Sequence, residues 1–306
     1  MTHSGEIVAL IVSMLWTTSA IVSEVTSRRL GVLAANAFRM ILSLSFIGII
    51  LFVGGGMHLI VESDARAWGW LLASGFVGYT FGDFCLYRGY DIIGSRYTQL
   101  LMTLAAPFAA LVGWFILGEQ LTFMVLLGML LTLTGIGMTI LGKGDNEEHH
   151  RIALKLPLRG VVFGVLAAVG QGVGLVLSKM GVTHLATDGG AFMSSFAGTF
   201  IRGIAGLSGF LVLLFWRGKQ RDMRKGFQGN TPIFLIAAAI CGPTIGVSLS
   251  LLAVQLTNVG IAQTIMSTSP ILILLPTYII YHQPLTIKSV IGTIISVVGV
   301  SMLFIA

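Results

Sequence analysis

The sequence predicts an all-α membrane protein, with ten transmembrane helices arranged as two inverted five-helix repeats around a central cavity. Three observations carry that expectation. The 306 residues are 55% hydrophobic and only 10% charged, with a mean hydropathy of +0.93, whereas a soluble domain carries about 25% charged residues. Apolar runs of bilayer-spanning length recur along the whole chain. Residues 70–142 also overlay 234–306 without a gap when shifted by 164 positions.

Taken in order, the expected spans of the first half are 5–27, 33–53, 68–89, 97–117 and 122–142. Those of the second half are 160–181, 192–216, 231–255, 262–281 and 286–305. Each run is continuously apolar rather than alternating, which argues against barrel strands. The first lacks a basic leading region and a small-residue cleavage site, so it reads as a membrane helix, not a cleaved signal peptide. The third carries the segment GYTFGDFCLYRGY (78–90), in which Tyr79, Asp83 and Tyr87 recur every four residues and share one helix face. The fourth opens with QLLMTLAAPF (99–108) and the ninth with QTIMSTSPIL (263–272), two copies of one layout. Pro243 and Pro276 are expected to kink the eighth and ninth spans.

The repeat is the most informative feature. Under the 164-position shift, Gly78, Thr80, Gly82, Gln99, Met102, Leu121, Thr122, Gly128 and Gly135 meet identical residues. A smaller shift pairs Gly5 with Gly160, Trp16 with Gln171, Ser23 with Ser178 and Arg39 with Arg202. An odd number of spans per half makes the second enter the membrane from the opposite side, which is the inverted repeat of many transporters. The expected domains are 1–142, a polar linker at 143–159, and 160–306. His149 and His150 in the linker lack a spaced third ligand, and Cys85 and Cys241 have no metal-ligand spacing, so no metal or cofactor is expected.

The net charge of +6 follows topology rather than nucleic acid. Alternate loops and the adjoining span ends hold Arg28, Arg29, Arg88, Arg96, Lys143, Arg151, Lys155, Arg159, Arg217, Lys219, Arg221, Arg224, Lys225 and Lys288; the other side holds Arg66. The positive-inside rule places the first set in the cytoplasm and both termini outside. The segment 217–226 either contacts anionic lipid or serves topology alone.

Several motifs resemble the EamA-type branch of the drug/metabolite transporter superfamily. MLWTTSAIVSE (14–24) is similar to its first-helix Trp-Gly-Ser-x5-Lys pattern. LGEQLT (117–122) with Gly128 and Gly135 resembles its boundary between fourth and fifth helices, and YHQPLT (281–286) with Gly292 and Gly299 is the second copy. Arg39 and Arg202 match its second-helix position. The resemblance covers nearly the whole chain. It implies a ten-helix inner-membrane transporter in which helices 1, 3, 4, 6, 8 and 9 surround the cavity and helices 5 and 10 are peripheral. The sequence departs from the pattern at Glu24, where Lys179 keeps the family lysine, at Gln283, where Glu119 keeps the glutamate, and at Ala106, the counterpart of Pro270.

Ionisable residues inside a span are functional candidates by default. Glu24, Arg39, Asp83 and Arg88 fall at one level, as a coupling or gating set or as a self-neutralised cluster. Lys179 and Arg202 lie toward the other side, with Asp188 as one partner. Unpaired in the cavity they favour a carboxylate-bearing substrate; paired, they say nothing about it. Asp83 either holds a cation or titrates during transport, or sits in an ion pair with an arginine. Uncharged candidates for the cavity wall are Trp16, Tyr79, Gln99, Thr103, Gln171, Gln263, Thr264 and Ser267. For the fourth and ninth helices the alternative is hydrogen bonding between helices, and the expected site is more polar on the ninth-helix wall.

The function expected is secondary transport, as an exporter of small metabolites such as amino acids by alternating access, in the inner membrane. A multidrug exporter, or a sugar, nucleotide-sugar or lipid-precursor carrier, is the alternative. A membrane enzyme would need a His/Asp/Glu cluster at one face, and none is visible; a non-transporting assembly partner is a further class. No nucleotide-binding loop is present. The partners expected are a small molecule, the lipid bilayer and, as a candidate coupling ion, the proton. Nucleic acid is not expected, and the chain is expected to be a monomer or weak homo-oligomer.

Overall fold

In the computed structural model, which describes residues 3–141, 157–185, 190–272 and 287–305, the chain is helical almost throughout and those residues contain no strand. Helix α1 (Ser4–Leu30) ends at Gly31, whose N–H bonds to the Ser27 carbonyl at 2.8 Å, and α2 (Val32–Val53) begins one residue later. A short α3 (His58–Val61) leads to α4 (Ala65–Gly75), whose first turn is capped by the Asp64 carboxylate accepting from Ala67 N at 2.7 Å. A π-helical segment, Phe76–Asp83, joins α4 to α5 (Phe84–Met102); α6 (Ala105–Leu117) and α7 (Phe123–Leu141) follow. The second half consists of α8 (Leu158–Thr183), α9 (Gly190–Trp216), a 3₁₀ segment Gln220–Phe227, α10 (Thr231–Ala239), a π-helical segment Ile240–Thr244, α11 (Gly246–Leu256), α12 (Val259–Met266), α13 (Ser269–Leu272) and α14 (Ile287–Ile305).

Among the described residues, six stretches are long and apolar enough to cross a bilayer: Ser4–Leu30, Val32–Val53, Tyr97–Leu117, Leu158–Thr183, Gly190–Trp216 and Thr231–Leu256. Two shorter apolar helices, Phe123–Met138 and Val290–Leu303, match the expected fifth and tenth spans. The expected third span corresponds to α4, the π-helical segment and the start of α5. The expected ninth is described only as far as Leu272. Pro276, His149, His150, Asp188, Gln283 and most of the linker lie outside the described residues.

The irregularities of the helices have local causes. Pro243 lies inside the π-helical segment Ile240–Thr244, where its missing N–H breaks the regular ladder; Ile245 N instead bonds five residues back, to the Ile240 carbonyl at 2.9 Å. The other π-helical segment begins at Phe76, 164 positions before Ile240. The breaks between α5 and α6, at Thr103–Leu104, and between α12 and α13, at Ser267–Thr268, are also 164 positions apart. Each precedes a proline, Pro107 or Pro270, that has no N–H to offer the turn before it. The Met266 carbonyl that Pro270 leaves open accepts the Ser269 hydroxyl at 2.9 Å.

Packing exchanges partners between the halves. Helix α1 packs against α10, α11 and α12, and α8 packs against α4, α5 and α6. Helices α7 and α14 run antiparallel at near backbone contact. A Cβ at Gly128 would meet the Gly299 carbonyl at 3.0 Å, and one at Gly135 would meet the Gly292 carbonyl at 2.5 Å. Small residues allow such approach, which is how helices associate without a hydrophobic drive between them.

Candidate functional site

A cavity of about 130 Å³ is walled by helices from both halves. Its first-half wall is Trp16, Ser19, Ala20 and Ser23 of α1, Arg39 of α2, Tyr79 and Asp83 of the π-helical segment, Leu86, Tyr87, Tyr90, Gln99 and Met102 of α5, and Thr103. Its second-half wall is Gln171 of α8, Gly242, Pro243, Val247, Gln263, Met266, Ser267 and Ser269.

At its centre is a buried ion pair. Arg39 Nη2 donates to Asp83 Oδ2, and Arg39 Nη1 donates to the Tyr87 hydroxyl at 2.9 Å. Gln171 Nε2 donates to Asp83 Oδ1 at 2.8 Å and to the Gly78 carbonyl at 3.2 Å. The glycines make this reach possible. A Cβ at Gly174 would lie 2.9 Å from Gly78 Cα, and one at Gly170 would lie 2.8 Å from Gly82 Cα. Helix α8 therefore lies on the π-helical backbone, and Gln171 between those glycines meets Asp83. Next to the pair, Arg202 of α9 stacks on the Tyr79 ring at 4.9 Å from its centroid. It is 3% exposed and forms no ion pair among the described residues.

The row of polar residues at 263–269 divides by role. Thr264 Oγ1 donates to the Gly260 carbonyl, Thr268 Oγ1 to the Ile265 carbonyl, and Ser267 Oγ to the Gln263 carbonyl, at 2.7, 2.7 and 2.8 Å. Ser269 Oγ also donates to the Ser13 carbonyl at 2.9 Å, and Thr17 Oγ1 donates to the Ser269 carbonyl at 3.0 Å, stitching α1 to the broken helix. These hydroxyls occupy backbone groups, as serine and threonine do in membrane helices. Only Gln263 presents a side-chain amide to the cavity with no protein partner among the described residues.

Of the residues singled out from sequence, Trp16, Arg39, Tyr79, Asp83, Gln99, Thr103, Gln171, Gln263 and Ser267 come together at the cavity. Five do not. Thr264 is fully buried in α12 away from it. Glu24 pairs with Arg28 one turn along α1 at 2.8 Å, one-third exposed. Arg88 is exposed on α5. The expected four-residue charge cluster thus reduces to Arg39 and Asp83, because depth along a helix does not fix the face. Arg202 sits behind Tyr79 rather than on the wall.

Lys179 departs furthest. Its Nζ donates to Glu119 Oε1 at 2.7 Å and to the Thr257 carbonyl at 3.1 Å. Glu119 also accepts from Val259 N at 2.9 and 3.2 Å, capping the start of α12. Glu6 of α1 accepts from Thr257 Oγ1 at 2.8 Å. This tie joins both halves in one layer, about 12 Å along α8 from Gln171 at ~1.5 Å per residue. Ser19, Ser23 and Tyr90 line the cavity without having been expected to, together with Tyr87, expected on the face of Asp83, and Ser269, expected on the polar ninth-helix wall. Trp16, Ser19 and Ser23 form a helical stripe, and Tyr87 and Tyr90 extend the face of Asp83, so spacing held the signal.

A family model described as the EamA-like transporter family matches this chain twice, over residues 3–141 and 158–305. A solved structure described as "Crystal structure of protein" is similar over 98% of this chain and 95% of that one, at 17% identity and a TM-score of 0.74, a likeness of fold alone. A comparison with curated proteins gives no match.

Proposed function

Because the chain belongs to the EamA-like transporter family, and so is a multi-pass membrane transporter, we propose that it moves small polar or amphipathic metabolites such as amino acids by alternating access, as an exporter of the inner membrane. Its two halves, 1–142 and 160–306, act as inverted five-helix repeats that rock about the cavity. The paired π-helical segments, the paired helix breaks and the antiparallel glycine crossing of α7 and α14 support that arrangement. The two matched segments, each covering one half, support it too.

The observation that carries the reading is a cavity shared by both halves, polar groups set in a mostly apolar wall, with a cross-half tie, Lys179 to Glu119, to one side of it. A site of this kind has to close on one side before opening on the other. Breaking the tie frees α8 from α12 while the Arg39–Asp83 pair stays in place.

Size favours metabolites over the alternatives. A cavity of roughly 150 Å³ holds a benzene, so about 130 Å³ is nearer the size of a small metabolite than of a nucleotide sugar. Hydroxyl, amide and charged groups set in a mostly apolar wall suit an amphipathic metabolite.

Flux of labelled amino acids into proteoliposomes, with and without a pH gradient, tests the reading. Saturable flux is expected, and dependence on the gradient would assign the proton as coupling ion. No flux across the panel from correctly folded protein refutes it.

A further inference from the structure

The unpaired chemistry of the cavity narrows the cargo, given the transporter reading. We propose that the cavity selects its ligand by a carboxylate and rejects amines of the same size that lack one.

The first argument is charge. Arg39 and Arg202 are 9% and 3% exposed; Arg39 pairs with Asp83, and Arg202, stacked on Tyr79 beside that pair, has no ion-pair partner among the described residues. Among the described residues, two buried cations thus lie beside one buried anion, an excess of positive charge. An entering ammonium meets repulsion, and an entering carboxylate completes the balance.

The second argument is hydrogen bonding. Both Asp83 oxygens are engaged, one by Arg39 and one by Gln171, so the carboxylate that would receive an ammonium is already occupied. Gln263 and Ser19 line the cavity with an amide and a hydroxyl that no protein group meets among the described residues. They are 4% and 6% exposed. Both can donate. A carboxylate takes several donors at once, and an unmet buried donor is costly. Met102, Met266 and Leu86 supply the apolar wall for the rest of the molecule.

The test uses the full chain in proteoliposomes and two matched sets of probes. One is leucine, 4-methylpentanoate and isoamylamine; the other is phenylalanine, 3-phenylpropanoate and phenethylamine. In at least one set, the two carboxylate-bearing members should be carried or should compete, and the amine should not. Amines carried as well as the acids overturn this inference and leave the transporter reading standing. Flux of none of the six from folded protein overturns both. Gln263→Leu should weaken apparent affinity for the carboxylate probes about tenfold, since a hydrogen bond to a charged group is lost. Unchanged affinity in Gln263→Leu overturns the assignment of the donor.

Discussion

Substituting Asp83 by asparagine keeps the shape of the side chain and removes its charge. The Asp83 and Arg39 side chains are 7% and 11% exposed, so the pair is largely desolvated. Asparagine leaves Arg39 and Arg202 buried with no anion facing them, and it loses the charge-assisted bonds that Arg39 and Gln171 donate. Breaking a buried pair by removing one partner costs about 3–5 kcal/mol. The exposed pair of Glu24 and Arg28 is a control on the same protein: Arg28 is 79% exposed, and an exposed pair contributes about 0.5 kcal/mol or less. Unfolding midpoints in detergent should therefore fall clearly for Asp83→Asn and scarcely move for Arg28→Ala. The double variant Arg39→Met with Asp83→Leu should recover more than half of the loss, because apolar replacement of a buried pair is often close to neutral. Asp83→Asn within about 1 kcal/mol of the parent, a small part of the 3–5 kcal/mol above, would refute the reasoning. A double variant as unstable as the single would refute it too.

Three further perturbations separate the roles of neighbouring residues. Glu119→Gln removes the partner of Lys179 and weakens the cap on Val259 N. A Ser267→Cys reporter, with Cys85 and Cys241 replaced by alanine, should then react faster with an impermeant maleimide added from the face that carries residues 117–122; an unchanged rate contradicts the tie. Gly135→Val places a methyl against the Gly292 carbonyl, where even a Cβ lies at 2.5 Å. It should destabilise by about 1–3 kcal/mol while the folded fraction keeps its ligand affinity, and an unaltered melt contradicts the close crossing. Gln263→Leu should cut flux severalfold without lowering the melting temperature, whereas Thr264→Val, one residue along and outside the cavity, should leave flux unchanged; equal effects contradict the division of the polar row.

The sequence carried more of this architecture than of its contacts. Apolar runs located the spans, and the irregularities recur at the same shift of 164 positions, although only the kink at Pro243 was expected among those described. Their form was legible only in part. Pro243 announces a disturbed helix, but the matching π-helical segment at Phe76–Asp83 contains no proline, and only its glycines hint at it. The Arg39–Asp83 pair was within reach because both lie at one depth. Glu24 and Arg88 share that depth and turn elsewhere, since helical rotation depends on which neighbour packs where. The tie of Lys179 to Glu119 joins residues 60 positions apart through the end of one helix and the start of another. No local pattern encodes that contact, and the sequence offered Asp188 instead. The polar residues at 263–269 pointed to the cavity as a group. Most of them bond back to carbonyls of their own turn, of which the break leaves only that of Met266 open, and Gln263 alone keeps a free side chain toward the space.

The central claim is that the cavity between the halves is where cargo binds during transport. Counterflow in proteoliposomes, run side by side on the parent protein and on Gln263→Leu with matched melting temperatures, tests it most directly. Saturable counterflow of a carboxylate-bearing metabolite, severalfold weaker in the variant, is the predicted result. Equal counterflow in the two proteins, or none from folded parent protein, would contradict it.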